Sequence, residues 1–409
     1  MVDLGRLARN SVGSGLKSSL QGIVVGLAFA AGSVVLLFWN EGRAVQRAKT
    51  LEEGAGAVVS VPSSAVDPTH EGHLVHLSGR AETERTLADP KFGLRVEALR
   101  LFREVEMLQW KERVESRRKK KNKSGGGSTP EKTYHYDTTW SSSAISSDSF
   151  KVSEGHRNPP FPFRGESWTA SDIHIGAFFL TDELTSRLTD RIVLALADEH
   201  LAAVPEPLRS RLSLNGGTFY QGANPSSPAV GDVRVRFQIV RPGDTSVVGR
   251  QQGDRVVAYT TKAGGDIALL DSGIRTAEQM FQRARTENTV LTWGLRVVGF
   301  VVMFIAFSLV LRPLSVVADA LPFVGKLVGA GVAIVAFLIA ALLTLGTVAV
   351  GWIVYRPWLG ITLLVVCVGL VVVMTRLARQ PSHPTAPLAV PPPPPFVPPP
   401  PPPPPPPAT

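Results

Sequence analysis

The chain has 409 residues, with 43 Lys and Arg against 34 Asp and Glu, and a single cysteine. Arg117, Arg118, Lys119, Lys120, Lys121 and Lys123 form one basic run, so the formal charge of +9 is not a chain-wide footprint for nucleic acid. Cys367 lies inside an apolar stretch, which excludes disulfides, cysteine metal centres and thiol nucleophiles from the polar part of the molecule.

Residues 1–17 are polar and carry Arg6, Arg9 and Lys17; residues 18–40 then contain no ionisable side chain. That run meets the roughly 20-residue requirement for a helix crossing a hydrocarbon core. It is too long for a removable signal peptide, and Trp39, Asn40 and Glu41 stand where a small-residue cleavage site would be. Similar apolar runs predict spans over 290–311, 327–355 and 357–375. The second is long enough only if it begins near Val290 and Arg296 reaches back to the interface along its flexible stem. The expected architecture is a multi-pass α-helical membrane protein of four spans, one plus three.

Arg6, Arg9 and Lys17 flank the first span, Arg312 and Lys326 lie in the 312–326 loop, and Arg376 and Arg379 follow the fourth span. By the positive-inside rule these segments are cytoplasmic, which leaves 41–289 on the other side as an extracytoplasmic or luminal domain. Trp39, Trp293, Trp352 and Trp358 then all fall at the outer ends of spans, where amphipathic rings favour the headgroup region.

The domain over 41–289 is predicted to be β-rich α+β. His73 to Ser78 reads as a short strand, and Val233, Val235, Phe237 and Ile239 alternate with Arg234, Arg236 and Gln238 as a half-buried strand does. Leu101–Glu115 and Thr133–Ser141 form the arms of a long hairpin in which Trp110 and Trp140 are placed to pair. Gly-Asp dipeptides at 231, 243, 253 and 265 predict turns. Thr181 is the expected cap of a helix carrying Leu184, Leu188, Ile192 and Leu196 at helical spacing, and a second helix near Thr276–Thr289 leads into the second span. Residues 376–409 are Pro-rich and predict a disordered polyproline II tail.

Candidate chemistry is sparse. His70, His73 and His76 recur every three residues, but 73 and 76 point to opposite faces of a strand and no carboxylate set completes a metal shell. No nucleophile elbow, Walker loop, zincin pair or dinucleotide fingerprint occurs, so no enzymatic activity, catalytic residue, cofactor or metal is expected. The run Arg117, Arg118, Lys119, Lys120, Lys121 and Lys123 is a candidate for anion binding, against which stands the reading of a solvated loop tip beside a linker-like Gly/Ser stretch. Gly22, Gly26 and Ala30, and Gly325 with Gly329, place small residues four apart for helix packing. Glu41, Arg43, Arg296 and Arg356 gather at one membrane boundary, and Glu41 is expected to pair with Arg356 or Arg296.

Asn40-Glu41-Gly42-Arg43-Ala44-Val45, Asp89-Pro90 with Gly93, Val105-Glu106-Met107 with Gln109-Trp110, and Gly155-His156 with Asn158-Pro159 occur in order along the chain. So do Gly231-Asp232 with Arg234-Val235, Thr292-Trp293-Gly294-Leu295-Arg296, and Gly351-Trp352 with Tyr355-Arg356-Pro357. In these segments, and in the one-plus-three layout, the chain resembles the transmembrane protein 43 family, also called LUMA. The resemblance implies an endomembrane protein that self-associates, similar in role to scaffolds of the endoplasmic reticulum and inner nuclear membrane that engage emerin and lamins. In a bacterial cell the same topology would lie in the plasma (inner) membrane, and such partners would not apply. The expected function is a non-enzymatic, self-associating membrane organiser whose partners are itself, other membrane proteins and the lipid bilayer, with no nucleic acid or small-molecule substrate. A channel or channel accessory is the alternative, and a membrane-bound hydrolase the third reading.

Overall fold

The computed structural model describes residues 4–118, 130–313 and 325–358, together with 361, 362 and 365. Its α-helices are α1 (Leu4–Ala57), α2 (Asp182–Thr185), α3 (Asp198–Ala203), α4 (Ala277–Val310) and α5 (Gly325–Tyr355). Three of them, α1, α4 and α5, contain stretches long and apolar enough to cross a membrane. Of the expected fourth span, Pro357, Trp358, Ile361, Thr362 and Val365 are described and helical, and the rest lies outside the described residues, as do Lys119, Lys120, Lys121, Lys123 and the tail 376–409.

The first helix does not stop at Asn40. Residues 41–57 are rich in Ala, Glu, Arg, Lys and Gln, which lose little freedom in a helix, and they carry it unbroken from the apolar stretch into the domain until Gly56 and Val58 end it. Ser33, Leu37, Asn40, Ala44, Leu51 and Gly54 recur on one face at steps of three, four or a double step, and most are buried. This face lies antiparallel against α4. Gly26 abuts Ala306, Leu37 abuts Gly299, Asn40 bonds Thr292, Ala44 bonds Asn288 and Gly54 abuts Phe281, so contacts advance along the two helices in step. Thr276 opens α4 with a reciprocal capping box to Gln279.

The β-domain holds two larger sheets over one core. In the first, Leu74–Glu82, His174–Ile175, Phe178–Leu180, Arg255–Val257 and Gly243–Gln252 pair in a ring that returns to Leu74–Glu82, giving a small barrel. The second runs Ser213–Asn215, Thr218–Gln221, Val233–Val240, Arg100–Arg118 and Pro130–Ser141. Along Val233–Val240 the apolar residues are buried, while Arg234 pairs across the strands with Glu106 at 2.6 Å. Phe92 sits at the centre of the shared core with Phe163, Phe219 and Phe237 around it. A smaller core of Leu51, Leu74, Val248, Ile267, Met280 and Phe281 joins both long helices to the barrel.

Three local expectations are corrected. The apolar residues from Leu184 to Leu196 do not share one helix: α2 ends after Thr185, and Ile192–Leu194 is a strand whose Ile192 and Leu194 pair with Ile239 and Phe237. Leu184, Leu188 and Leu196 are still buried, but the β-branched Ile192-Val193 gains more by extending an edge of the sheet. Trp110 and Trp140 lie opposite Thr138 and Leu108; Trp110 packs edge-on to His156 and Trp140 to Tyr220 instead of meeting each other. Gly243-Asp244 opens a strand rather than a turn, whereas Gly231 and Gly253 take the positive φ that their turns require.

The three histidines do not converge on one site. His70 and His73 meet edge-on with Asp67 beside His70, while His76 is buried, its Nε2 on the Arg275 carbonyl at 2.8 Å and its Nδ1 on Ser60 Oγ at 3.0 Å. Nε2 therefore carries the proton and Nδ1 accepts from the hydroxyl. Burial pushes the imidazole below its ordinary range, and the Arg275 carbonyl opposes this in part. The unfolded chain then binds a proton that the folded one resists, so this contribution to stability is complete above the unfolded value near pH 6.5 and is lost as pH falls below it. The gap in thermal midpoint between the wild type and His76→Gln is expected to narrow from pH 7.5 to pH 5.5; a gap independent of pH contradicts it.

Candidate functional site: a buried polar junction of three helices

At the domain-side end of the apolar stretches, where Trp39 and Trp293 remain more than half exposed, α1, α4 and α5 converge on the carboxylate of Glu41. Glu41 is only 2% exposed. Arg296 on α4 grips it with both arms of its planar fork, Nε donating to Oε1 at 2.7 Å and Nη2 to Oε2 at 2.8 Å. Trp352 on α5 donates its indole Nε1–H to Oε2 at 2.8 Å. The Arg296 guanidinium also lies over the rings of Trp293 and Trp352, at 4.7 and 5.7 Å from their centroids. Arg296 thus turns into the bundle, toward Glu41.

Small residues make this approach possible. A Cβ on Gly351 would lie 3.0 Å from the Glu41 side chain, and one on Gly42 would enter the Tyr355 ring, which in turn packs on Phe38. Deeper in the apolar stretch, a Cβ on Gly299 would strike Leu37, and Ser33 Oγ donates to the Gly299 carbonyl at 2.7 Å. Gly26 faces the Ala306 carbonyl and Val310 in the same way, with Gly22 beyond it against Leu309. Close backbone approach is what substitutes for hydrophobic drive between helices in lipid. Ala30 lies on α1 between Gly26 and Ser33; Gly325 and Gly329 lie in the first turns of α5.

One turn outward, a second polar layer joins α1 to α4. Arg43 donates to Asn288 Oδ1 at 2.9 Å, to Thr292 Oγ1 at 2.9 Å and to Asn40 Oδ1 at 3.2 Å, while Asn40 and Asn288 each donate to a carbonyl on the facing helix. Arg356 is exposed and lines, with Glu41, Arg296, Thr289 and Trp352, a pocket of about 200 Å³. Of the two arginines named for Glu41 in the sequence, the ion pair forms with Arg296. Trp352 as third partner, and the Asn40, Asn288 and Thr292 layer around Arg43, were missed; polar residues repeating on the otherwise apolar faces of the two helices are the signal that reveals them. Among the described residues no group of His, Cys, Asp and Glu is arranged to hold a metal ion. Arg117 and Arg118 end the strand Arg100–Arg118, opposite Glu131 and Pro130.

The sequence profile of the family described as Transmembrane protein 43 matches residues 107–357. This chain belongs to that family. It is 37% identical over 384 residues to Transmembrane protein 43 of Homo sapiens and likewise to that of Mus musculus, spanning 90% of this chain and 92% of each relative. The Transmembrane protein 43 homolog of Drosophila melanogaster is 29% identical over 353 residues, 82% of this chain and 89% of the relative. No solved structure matches it. The chain is therefore an integral membrane protein of the Transmembrane protein 43 family, with three apolar helices and a β-rich domain described.

Removing one partner of a buried ion pair leaves the other charge unmatched, at a cost of about 3 kcal/mol or more. Glu41→Gln and Arg296→Gln are each expected to lower the free energy of unfolding in mild detergent by that order, and the double variant to be no worse than either single one. Strictly additive losses would dissolve the pairing as an energetic unit.

Proposed function

We propose that the protein is a non-enzymatic membrane organiser that associates with itself and with other membrane proteins through its β-domain. The observation that carries this reading is the unbroken passage of α1 and α4 from the apolar stretch into the domain, with Glu41 clamped between helices at the crossing. A domain held on such a stem keeps a fixed attitude to the bilayer, so each contact it makes orients a neighbour in the membrane plane. Glu41 and Arg296 bond each other, an arrangement suited to helix packing more than to an ion path, which favours an organiser over a channel. The basic flanks of the spans support a cytoplasmic N-terminus and tail with the domain on the opposite side.

Full-length protein in mild detergent is expected to run at a multiple of the chain mass by light scattering, and to give no ion flux in liposomes. A strict monomer sinks the organiser reading, and selective flux replaces it with the channel. For the topology, cysteines placed at Ser64 and Ser226 in a Cys367→Ser background should react with an impermeant reagent from the non-cytoplasmic side only, and one at Ser382 from the cytoplasmic side only. Reaction of Ser64 and Ser382 from one side contradicts it.

A further inference from the structure

Where the stem enters the domain, two adjoining pockets of about 250 and 370 Å³ share Ala284 and Glu287 and form one groove along α4. Arg43 and Arg47 line one end, Arg187 and Arg283 the other. The groove has two carboxylates, Asp271 and Glu287, and a single arginine takes both: Arg283 lies 3.1 Å from each. Arg43, Arg47 and Arg187 form no ion pair with a carboxylate among the described residues. Arg43 has only amide and hydroxyl acceptors and a buried Nε with no partner; Arg47 has the Asp266 carbonyl at 2.8 Å; Arg187 is exposed. Four arginines against two carboxylates leave the groove with net positive charge, which suits it to an anion.

The depth of the groove selects the anion. Arg43 and Arg47 lie four and eight residues beyond Trp39 on α1, or about 6 and 12 Å at 1.5 Å per residue, which spans the headgroup layer outside the hydrocarbon core. The groove opens toward the membrane along one face of α4: Leu291 lines it at 50% exposure, Gly294 has open space at its Cβ position, and Val298, also 50% exposed, follows one turn further. A cationic mouth continued by an apolar track is matched by a molecule with a phosphate at one end and hydrocarbon at the other.

We propose that this groove binds an anionic phospholipid, its phosphate held by Arg43, Arg47 and Arg187 and its acyl chain lying on Leu291, Gly294 and Val298. The test uses the full-length protein in mild detergent, titrated with phosphatidylglycerol in mixed micelles and, separately, with inorganic phosphate, binding being read from the thermal midpoint. Phosphatidylglycerol should bind saturably and inorganic phosphate only weakly. Arg187→Gln, at an exposed position that makes no ion pair, should weaken phosphatidylglycerol about fivefold, and Arg187→Lys should retain most of the affinity. Leu291→Ser, which removes apolar surface and adds no charge, should weaken the lipid without changing the response to inorganic phosphate. Unchanged lipid affinity in both Arg187→Gln and Leu291→Ser overturns the site, and equal saturation by inorganic phosphate overturns its assignment to lipid.

Discussion

A carboxylate that is 2% exposed beside a bilayer cannot remain charged without donors, and Glu41 receives three, from helices far apart in the sequence. Two belong to Arg296 on α4 and one to Trp352 on α5, so the charge that would be most costly alone becomes the point at which three helices are held. In lipid the apolar faces of these helices have no hydrophobic reason to associate. Specific polar contacts and close backbone approach must set their register, and both are concentrated here: Gly351 and Gly42 make room for side chains that a methyl group would displace.

From that layer the stem carries order outward. The Arg43 layer repeats the pattern one turn further with neutral partners, and beyond it Leu51, Phe281 and Ile267 bury against the barrel. Residues 259–267 grip the side of α1, where Glu53 accepts the Lys262 and Ala263 amides and Arg47 donates to the Asp266 carbonyl. The domain is therefore attached over the whole outer length of α1 rather than hung from a flexible linker. The proposed organising role rests on this mechanical continuity, and the proposed lipid groove lies in the angle between stem and domain that it creates.

Much of this was legible in the sequence wherever one physical demand dominates a segment. Lipid crossing requires uninterrupted apolar residues, and 18–40 and 327–355 show it; a half-buried strand requires period two, and 233–240 shows it. A helix expected near Thr276–Thr289 is the start of α4, which begins at Ala277. Legibility failed where two demands compete. Leu184, Leu188 and Leu196 are apolar because they are buried, and their spacing imitates a helix although the chain turns back to extend a sheet. Residues 41–57 are charged enough to read as loop, yet they are good helix formers whose apolar positions continue the seam begun in the membrane. The barrel was invisible for a further reason: its closure depends on a two-residue parallel pairing of Phe179–Leu180 with Arg255–Val256, too short to leave a pattern. At the junction the charged residues announced themselves, whereas the indole of Trp352, read as a membrane-boundary ring, also serves as a hydrogen-bond donor to Glu41.

The Glu41 junction fixes the position of the outer stem relative to α5. Nitroxides at Lys49 and Val354, both exposed, report it directly by double electron–electron resonance in a Cys367→Ser background. One narrow distance distribution is expected in lipid, broadening in Glu41→Gln; a broad or multimodal distribution in the otherwise wild-type protein, or one unchanged by the substitution, would contradict this role of the junction.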